Sequence, residues 1–153
     1  MLHVPIPGAD DLRVEALLLD VNGTLTDRGQ LIPGVAERLD RLRGRLALHL
    51  LSADTFGTAA EIARALGAAF TPIAGGDDKR RYVERLGAGS CVAIGNGAND
   101  RAMLEGAALA IAVIGPEGLN ATLVGVADVL VRSIHDALDL LADPAALTAT
   151  LRP

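Results

Sequence analysis

The chain has 153 residues, and 14 lysines and arginines against 19 aspartates and glutamates give it a formal net charge of −5. Half of the residues are hydrophobic and 2% are aromatic, which excludes a disordered, collagen-like or disulfide-rich chain and requires a core of Ala, Val, Leu and Ile. The acidic balance and the few aromatic stacking groups argue against nucleic acid as a partner.

Short apolar runs alternate with helical patterns along the chain. Unbroken apolar strands separated by helices indicate a mainly parallel sheet covered on both faces. We therefore predict a three-layer α/β/α, Rossmann-like fold, with one domain over residues 1–153 and a core at about 14–141. In chain order, the predicted elements are strand Val14–Leu19, helix Val35–Leu42, strand Arg45–Leu51, helix Thr55–Leu66, strand Ala68–Ile73, helix Asp77–Leu86, strand Ser90–Ile94, helix Asp100–Gly106, strand Leu109–Ile114, helix Pro116–Val126, strand Val129–Val131 and helix Ile134–Leu141.

Polar and glycine-rich segments directly follow three of the predicted strands. Residues 20–27 read DVNGTLTD, residues 52–54 read SAD, and residues 95–100 read GNGAND. Ligands of parallel sheets bind beyond the carboxyl ends of the strands. The sequence therefore predicts a functional site where these three segments meet.

These segments resemble the motifs of the haloacid-dehalogenase (HAD) superfamily of phosphoryl-transfer enzymes. The four motifs are DVNGTLTD, LSAD at residues 51–54, a lysine at the start of a helix, and IGNGAND at residues 94–100. The first motif and the stretch GNGANDRAMLEGAALAIAV are also similar to the phosphorylation domain of P-type ATPases. The chain thus resembles the soluble P-type-ATPase-like phosphatases, which implies a HAD-like fold and a phosphatase activity.

The resemblance implies a role for each motif residue. Asp20 would be the nucleophile, because a carboxylate can attack phosphorus and form an aspartyl-phosphate. Lys79 would neutralise the charge of the phosphoryl group and of the nucleophile. Arg80 remains a competing candidate for this cation, because the spacing at this point is not fixed by a motif. The implied catalytic residues are Asp20, Asn22 and Lys79, and the implied phosphate-binding residues are Gly23, Thr24, Ser52, Ala53 and Lys79.

The same resemblance implies Mg²⁺ as the cofactor. Mg²⁺ takes oxygen ligands in near-octahedral geometry, usually one or two carboxylates with waters and a phosphate. The family's ligands correspond to the Asp20 carboxylate, the backbone carbonyl of Asn22 and the side chain of Asn96. Asp100 completes the metal group by orienting the other three.

Two residues depart from the family pattern. Asn22 stands where most phosphatases of the superfamily carry an aspartate that acts as general acid and base, and where P-type ATPases carry threonine. Because an amide cannot usefully exchange a proton, we expect hydrolysis to be slower by about 10²- to 10⁴-fold. Asn96 stands where the motif normally supplies an aspartate to the metal, so we expect weak Mg²⁺ binding.

We therefore predict a slow Mg²⁺-dependent phosphohydrolase that acts on a phosphorylated substrate of unknown identity. The alternative is a catalytically degenerate HAD-like module that binds a phosphorylated ligand or a protein partner. Asn22 and Asn96 favour the module, and the retained nucleophile favours the enzyme. Neither residues 28–34 nor residues 55–76 can hold a cap domain, so we expect an open, capless site. A homo-oligomer remains an option.

The ends and apolar stretches of the chain bear on its location. The first ten residues, MLHVPIPGAD, have no basic segment and contain two prolines, so we expect no signal peptide. The longest run of small apolar residues, 106–115, is about half the length of a membrane span. Cys91 is the only cysteine, which excludes a disulfide framework. We therefore predict a cytoplasmic protein with no membrane partner.

Overall fold

The computed structural model describes residues 1–153 as ten strands and six α-helices. The strands are β1 Leu2–Val4, β2 Leu12–Val14, β3 Ala16–Asp20, β4 Thr26–Asp27, β5 Gln30–Leu31, β6 Ala47–Ser52, β7 Ala69–Pro72, β8 Cys91–Gly95, β9 Leu109–Val113 and β10 Val129–Val131. The helices are α1 Val35–Leu42, α2 Ala59–Leu66, α3 Gly76–Leu86, α4 Arg101–Gly106, α5 Ile134–Ala142 and α6 Pro144–Leu151.

A six-stranded, wholly parallel sheet forms the middle layer, in the order β10-β9-β8-β3-β6-β7. Successive side chains of a strand point to opposite faces of a sheet. Leu17 and Leu19 of β3 accordingly join a core cluster with α1, α2 and α5. Ala16 and Leu18 join a second cluster with α3 and α4. The predicted three-layer α/β/α fold is confirmed.

The central strand β3 sets the position of the site. Its last residue, Asp20, pairs in register with Leu51 of β6, one residue before that strand ends at Ser52. On the other side β3 pairs with β8, which ends at Gly95. The three segments that follow these strands therefore leave the sheet at one edge. Asp20 has the same parity as Leu18 along β3, so its side chain lies on the face that α3 covers.

The connections leave the site without a separate covering domain. Between β3 and α1 the chain inserts only the short antiparallel hairpin of β4 and β5. Between β6 and α3 it forms α2 and β7, both parts of the central fold. The fold is therefore capless, as predicted. None of its helices is both long and apolar enough to cross a bilayer.

One predicted helix is wrong. Residues 116–126 form turns and a short 3₁₀ helix, Ala121–Leu123, where the pattern predicted an α-helix over Pro116–Val126. Gly118 adopts a φ of +82°, which is outside the right-handed helical region, and Gly115 and Gly118 form a bridge that closes a tight turn. Asn120 then accepts a hydrogen bond from the Thr122 N–H and begins the 3₁₀ turn.

Both ends of the chain carry elements that the sequence analysis did not predict. β1 and β2 form an antiparallel hairpin whose inward side chains, Leu2, Val4 and Val14, are fully buried. After α5 the chain continues into α6, which begins at Pro144 with Asp143 as its N-cap. The packed structure therefore extends beyond the predicted core of residues 14–141 at both ends.

Candidate active site

Most of the buried polar side chains of the chain gather at the carboxyl edge of the sheet. Seven polar or charged residues are buried, and only Thr26 lies outside the predicted site. Its hydroxyl donates a hydrogen bond to the Val21 carbonyl. Buried polar groups cost free energy unless each one finds a partner, so such a concentration indicates a built site. The other six are Asp20, Thr24, Ser52, Lys79, Asn96 and Asp100.

Lys79 joins two carboxylates in the centre of this cluster. It is fully buried on α3, and its Nζ lies 2.7 Å from Asp20 Oδ1. The same ammonium also donates to Asp100 Oδ1. Arg80, the competing candidate, is exposed and pairs with Glu84 on the outer face of the helix. Of the two cations, only Lys79 reaches the predicted nucleophile.

Asp100 holds the loop that follows β8. Its second carboxylate oxygen accepts hydrogen bonds from the backbone N–H groups of Asn96, at 3.0 Å, and Gly97, at 2.9 Å. Both oxygens of Asp100 are therefore engaged, one by Lys79 and one by the loop. These contacts orient the loop that carries Asn96, and Asp100 itself is fully buried outside the lining of the cleft.

Thr24 connects the first and fourth motifs. Its Oγ1 lies 3.0 Å from Asp20 Oδ2 and 3.2 Å from Asn96 Oδ1, within hydrogen-bond distance of both. The turn that brings Thr24 back over Asp20 needs Gly23, whose φ is +76°. Gly23 thus shapes the turn, and Thr24 fixes the orientation of two predicted metal ligands.

A cleft of about 540 Å³ opens over this cluster. Ser52 lies in its lining, and the Ser52 Oγ accepts a hydrogen bond from the Asp54 N–H, which leaves the hydroxyl proton free to donate to a ligand. The backbone N–H groups of Asn22 and Ala53, also lining residues, have no acceptor within the chain. These three donors together can bind the oxygens of a phosphate group.

The side chain of Asn22 faces the same cleft without any fixed partner. It is half-buried, lines the cleft, and makes no hydrogen bond to another residue. Its amide can therefore contact a bound ligand, but it has no proton to exchange at neutral pH. The position two residues after Asp20 is thus sterically available for an acid/base group.

The buried triad of Asp20, Lys79 and Asp100 carries two negative charges and one positive charge. Burial and the charge of Asp100 together raise the pKa of Asp20 to about 6, although Lys79 and Thr24 act to lower it. Burial also lowers the pKa of Lys79, but the two carboxylates outweigh it, so this pKa lies above its ordinary value. Lys79 therefore stays charged, and its single positive charge is shared between Asp20 and Asp100.

The raised pKa predicts that Asp20→Asn stabilises the metal-free protein at neutral and higher pH. The folded state holds the Asp20 proton more tightly than the unfolded chain, so native stability falls as pH rises from about 4 to about 6. In the variant, the amide oxygen can face Lys79, and the amide NH₂ can donate to Thr24, whose own proton then goes to Asn96.

At pH 8 we expect the unfolding free energy of Asp20→Asn to be about 1 to 3 kcal/mol higher than that of the native chain. At about pH 3, below the ordinary value of 3.8, Asp20 of the native chain is mostly protonated in both states, so the difference should nearly vanish. Urea unfolding of both proteins at the two pH values, without metal, measures this. Equal stability at pH 8 would contradict the raised pKa.

The oxygen atoms around Asp20 suit a hard cation as ligands. No cluster of three or more His, Cys, Asp or Glu side chains that could hold a metal occurs in the structure. The available oxygens are those of the Asp20 carboxylate and the Asn96 amide, with the backbone carbonyl of Asn22, which accepts no backbone hydrogen bond. An all-oxygen set with one carboxylate fits Mg²⁺, which keeps several waters, and does not fit zinc.

The cleft also contains residues that the sequence analysis missed. Glu117, Gly118 and Asn120 lie in its lining, on the loop after β9. The Asn96 side-chain N–H donates to the Gly118 carbonyl at 3.0 Å, and the Asn120 N–H donates to the Asn96 carbonyl at 2.8 Å. The signal was present as Gly-Pro-Glu-Gly directly after a strand, but the predicted helix over this segment obscured it.

Comparison with known proteins places the chain in a family. The family model of haloacid dehalogenase-like hydrolases matches residues 3–108. The chain therefore belongs to the haloacid dehalogenase-like hydrolase family, as the motifs predicted. It is also 48% identical over 61 residues to the uncharacterized protein MJ0073 of Methanocaldococcus jannaschii, a match over 40% of this chain and 66% of that protein. This match spans just under two thirds of that relative's length.

Solved structures share the fold. The cobalt-bound deoxy-D-mannose-octulosonate 8-phosphate phosphatase of Haemophilus influenzae has a TM-score of 0.71 at 14% identity, covering 92% of this chain and 94% of that one. The corresponding phosphatase of Moraxella catarrhalis, solved with magnesium, phosphate and KDO, has a TM-score of 0.68 at 19% identity, covering 91% and 94%. The catalytic domain of the CPx-ATPase CopB-B has a TM-score of 0.62 at 26% identity, covering 74% and 46%.

Proposed function

We propose that this protein is a Mg²⁺-dependent phosphohydrolase of low intrinsic rate that works through a phosphorylated Asp20. The arrangement of Asp20 carries the proposal. Its carboxylate ends the central strand, lies 2.7 Å from a fully buried lysine, and lines a cleft with free phosphate-binding donors. Burying such an ion pair costs desolvation free energy. The cost is understandable if the lysine lets the carboxylate react with an anionic phosphate, whose charge it neutralises.

Two displacement steps follow from this arrangement. An Asp20 oxygen attacks the phosphorus of the substrate while the bond from phosphorus to the leaving oxygen breaks, which transfers the phosphoryl group to the carboxylate. Water then attacks this phosphorus, the bond to Asp20 breaks, and inorganic phosphate leaves. Lys79 neutralises the charge of the phosphoryl oxygens, and Ser52 and the Ala53 N–H bind them.

The protons of both steps have to come from and go to water. Asn22 lines the same cleft as Asp20 but cannot give a proton to the leaving oxygen or take one from the attacking water. Leaving groups that are stable as anions, such as aryl oxides, need no proton donor. We therefore expect aryl phosphates to react faster than alkyl phosphates.

The Asp20 carboxylate, the Asn22 backbone carbonyl and the Asn96 side-chain oxygen would hold Mg²⁺, with Asp100 orienting the loop. When bound, the ion neutralises the charge of the phosphoryl oxygens. Phosphatases of the same fold have been solved with cobalt and with magnesium, which supports a metal here. The open cleft admits a phosphorylated small molecule. We propose that the protein acts in the cytoplasm.

A second candidate is a non-catalytic module that binds a phosphorylated ligand or a protein partner. The two amides at Asn22 and Asn96, in place of carboxylates, favour it. A module would retain phosphate binding in the cleft without turnover, whereas the enzyme requires the Asp20 carboxylate to react.

An aryl-phosphate assay with Mg²⁺ separates these two functions. We expect slow release of phosphate by the native chain and none by Asp20→Asn, which keeps the shape of the nucleophile and removes its charge. Arg80→Gln serves as the control, since Arg80 is exposed on the outer face of α3. No turnover by any of the three proteins would favour the binding module, and equal turnover by all three would place the activity elsewhere.

A further inference from the structure

We propose that Glu117 is the second carboxylate of the Mg²⁺ site, compensating for the amide at Asn96. This inference rests on the proposed Mg²⁺-dependent function. Of the thirteen residues that line the cleft, Asp20 and Glu117 are the two that carry a carboxylate.

The net charge of the buried triad is small enough that a second carboxylate would strengthen Mg²⁺ binding. Lys79 neutralises one of the two buried carboxylates, Asp20 and Asp100, so the triad has a net charge of −1. Asp20 lines the cleft, whereas Asp100 is fully buried outside the lining, so Asp20 is the one buried carboxylate that can face a metal in the cleft. Mg²⁺ sites in proteins usually have one or two carboxylates, and a single one that is shared with a lysine binds weakly.

Glu117 lies beside the first motif. A Cβ atom at Gly23 would lie 2.6 Å from Glu117 Oε2 and 2.9 Å from Asn96 Nδ2, so these two side chains border the same small space above the Gly23 turn. A Cβ atom at Gly115 would lie 1.9 Å from the Gly23 carbonyl oxygen. Because that contact is with backbone, glycine at position 115 is what allows the loop that carries Glu117 to approach the Gly23 turn this closely.

The loop of Glu117 is also fastened to a predicted metal ligand. Asn96 donates its side-chain N–H to the Gly118 carbonyl and accepts the Asn120 N–H with its backbone carbonyl. The donation to Gly118 leaves the Asn96 amide oxygen facing Thr24, whose hydroxyl also contacts Asp20. The contacts that orient Asn96 as a ligand therefore also fix the backbone that carries Glu117.

The Glu117 carboxylate itself is uncommitted. It is exposed, and no side chain or backbone group of the chain donates a hydrogen bond to it or forms an ion pair with it. Its charge is thus available to a cation in the cleft, either as a direct ligand or through a metal-bound water. Because Glu117 is exposed, it adds a negative charge to the site without the desolvation cost of a third buried carboxylate.

Calorimetric titration with Mg²⁺ alone tests this role without relying on activity. We expect Glu117→Gln to raise the Mg²⁺ dissociation constant by about tenfold or more, because it removes a unit negative charge from the lining of the cleft that would hold the ion. Glu37→Gln removes the same charge from the exposed face of α1 and should change the constant less than about twofold. Glu117→Asp should restore part of the affinity.

The remaining outcomes each decide a different point. If Asp20→Asn abolishes Mg²⁺ binding and Glu117→Gln leaves it within about twofold of native, the role of Glu117 is overturned and the proposed function stands. If the effect of Glu117→Gln disappears at about 0.5 M salt, Glu117 contributes only a screened surface field and the proposal is overturned. If the native chain binds no Mg²⁺, the metal-dependent function fails, and the role of Glu117 fails with it.

Discussion

Replacing Asn22 with aspartate is expected to accelerate phosphate release by about 10²- to 10⁴-fold. The native amide lines the cleft two residues after Asp20, is half-buried, and has no hydrogen-bond partner that the substitution would break. A carboxyl group of nearly the same shape can therefore occupy this position and exchange protons with the leaving oxygen and with the attacking water.

The gain should depend on the leaving group. Alkyl phosphates need a proton on the leaving oxygen, so Asn22→Asp should accelerate them more than aryl phosphates. Asn120→Asp is the matched control, because it adds the same charge to the same cleft and can keep the oxygen that caps Thr122. Steady-state rates of the three proteins on both substrates measure this. An unchanged rate in Asn22→Asp would show that the missing acid/base group does not limit turnover.

Replacing Lys79 with methionine is expected to abolish activity and to cost about 3–5 kcal/mol of unfolding free energy at pH 7.5. The substitution keeps the apolar stem but removes the one cation between two buried carboxylates, Asp20 and Asp100. Uncompensated buried charge is more costly than a lost surface pair by several kcal/mol.

The destabilisation should diminish in acid. Lys79 lowers the pKa of Asp20, so without Lys79 this pKa rises further above 6 and the folded state takes up a proton more readily. The loss should therefore be smaller at about pH 5 than at pH 7.5. Arg80→Met, one residue away on the exposed face, should cost less than about 1 kcal/mol. Urea unfolding at both pH values decides this, and a loss in Lys79→Met no greater than in Arg80→Met would contradict the role given to the triad.

The sequence was most informative where strands are buried on both faces. The apolar run before Asp20 and the run before Gly95 predicted two strands, β3 and β8, within one or two residues of their observed bounds. All five residues of each strand are buried, which is why they appear as unbroken apolar segments. The motif residues after these strands consequently lie at one edge, as predicted.

The sequence was less informative where only a few residues form an element. β1 and β2 are three residues each, with a single exposed side chain between two buried ones, and this pattern is too short to indicate a strand. The choice between Lys79 and Arg80 also needed the structure, because it depends on which face of α3 meets the sheet. Burial of Lys79 decides it.

The loop after β9 shows what a pattern of residue types omits. Residues 116–126 have helix-like apolar spacing, yet the turn at Gly115–Gly118 and the contacts to Asn96 give the segment another structure. Those contacts join residues distant in the chain, so no local pattern can indicate them. As a result, the sequence identified every buried polar residue of the site but not the exposed Glu117 in its lining.

Phosphorylation of Asp20 is measured most directly by trapping the phosphorylated protein. The native chain is mixed with an aryl phosphate and Mg²⁺, quenched in acid at short times, and analysed by intact mass and peptide mapping. We predict one phosphoryl group, on Asp20, accumulating more in the native chain than in Asn22→Asp, because the amide slows its hydrolysis, and absent from Asp20→Asn. Turnover by the native chain with no phosphoryl group on Asp20, or with one on another residue, would contradict this mechanism.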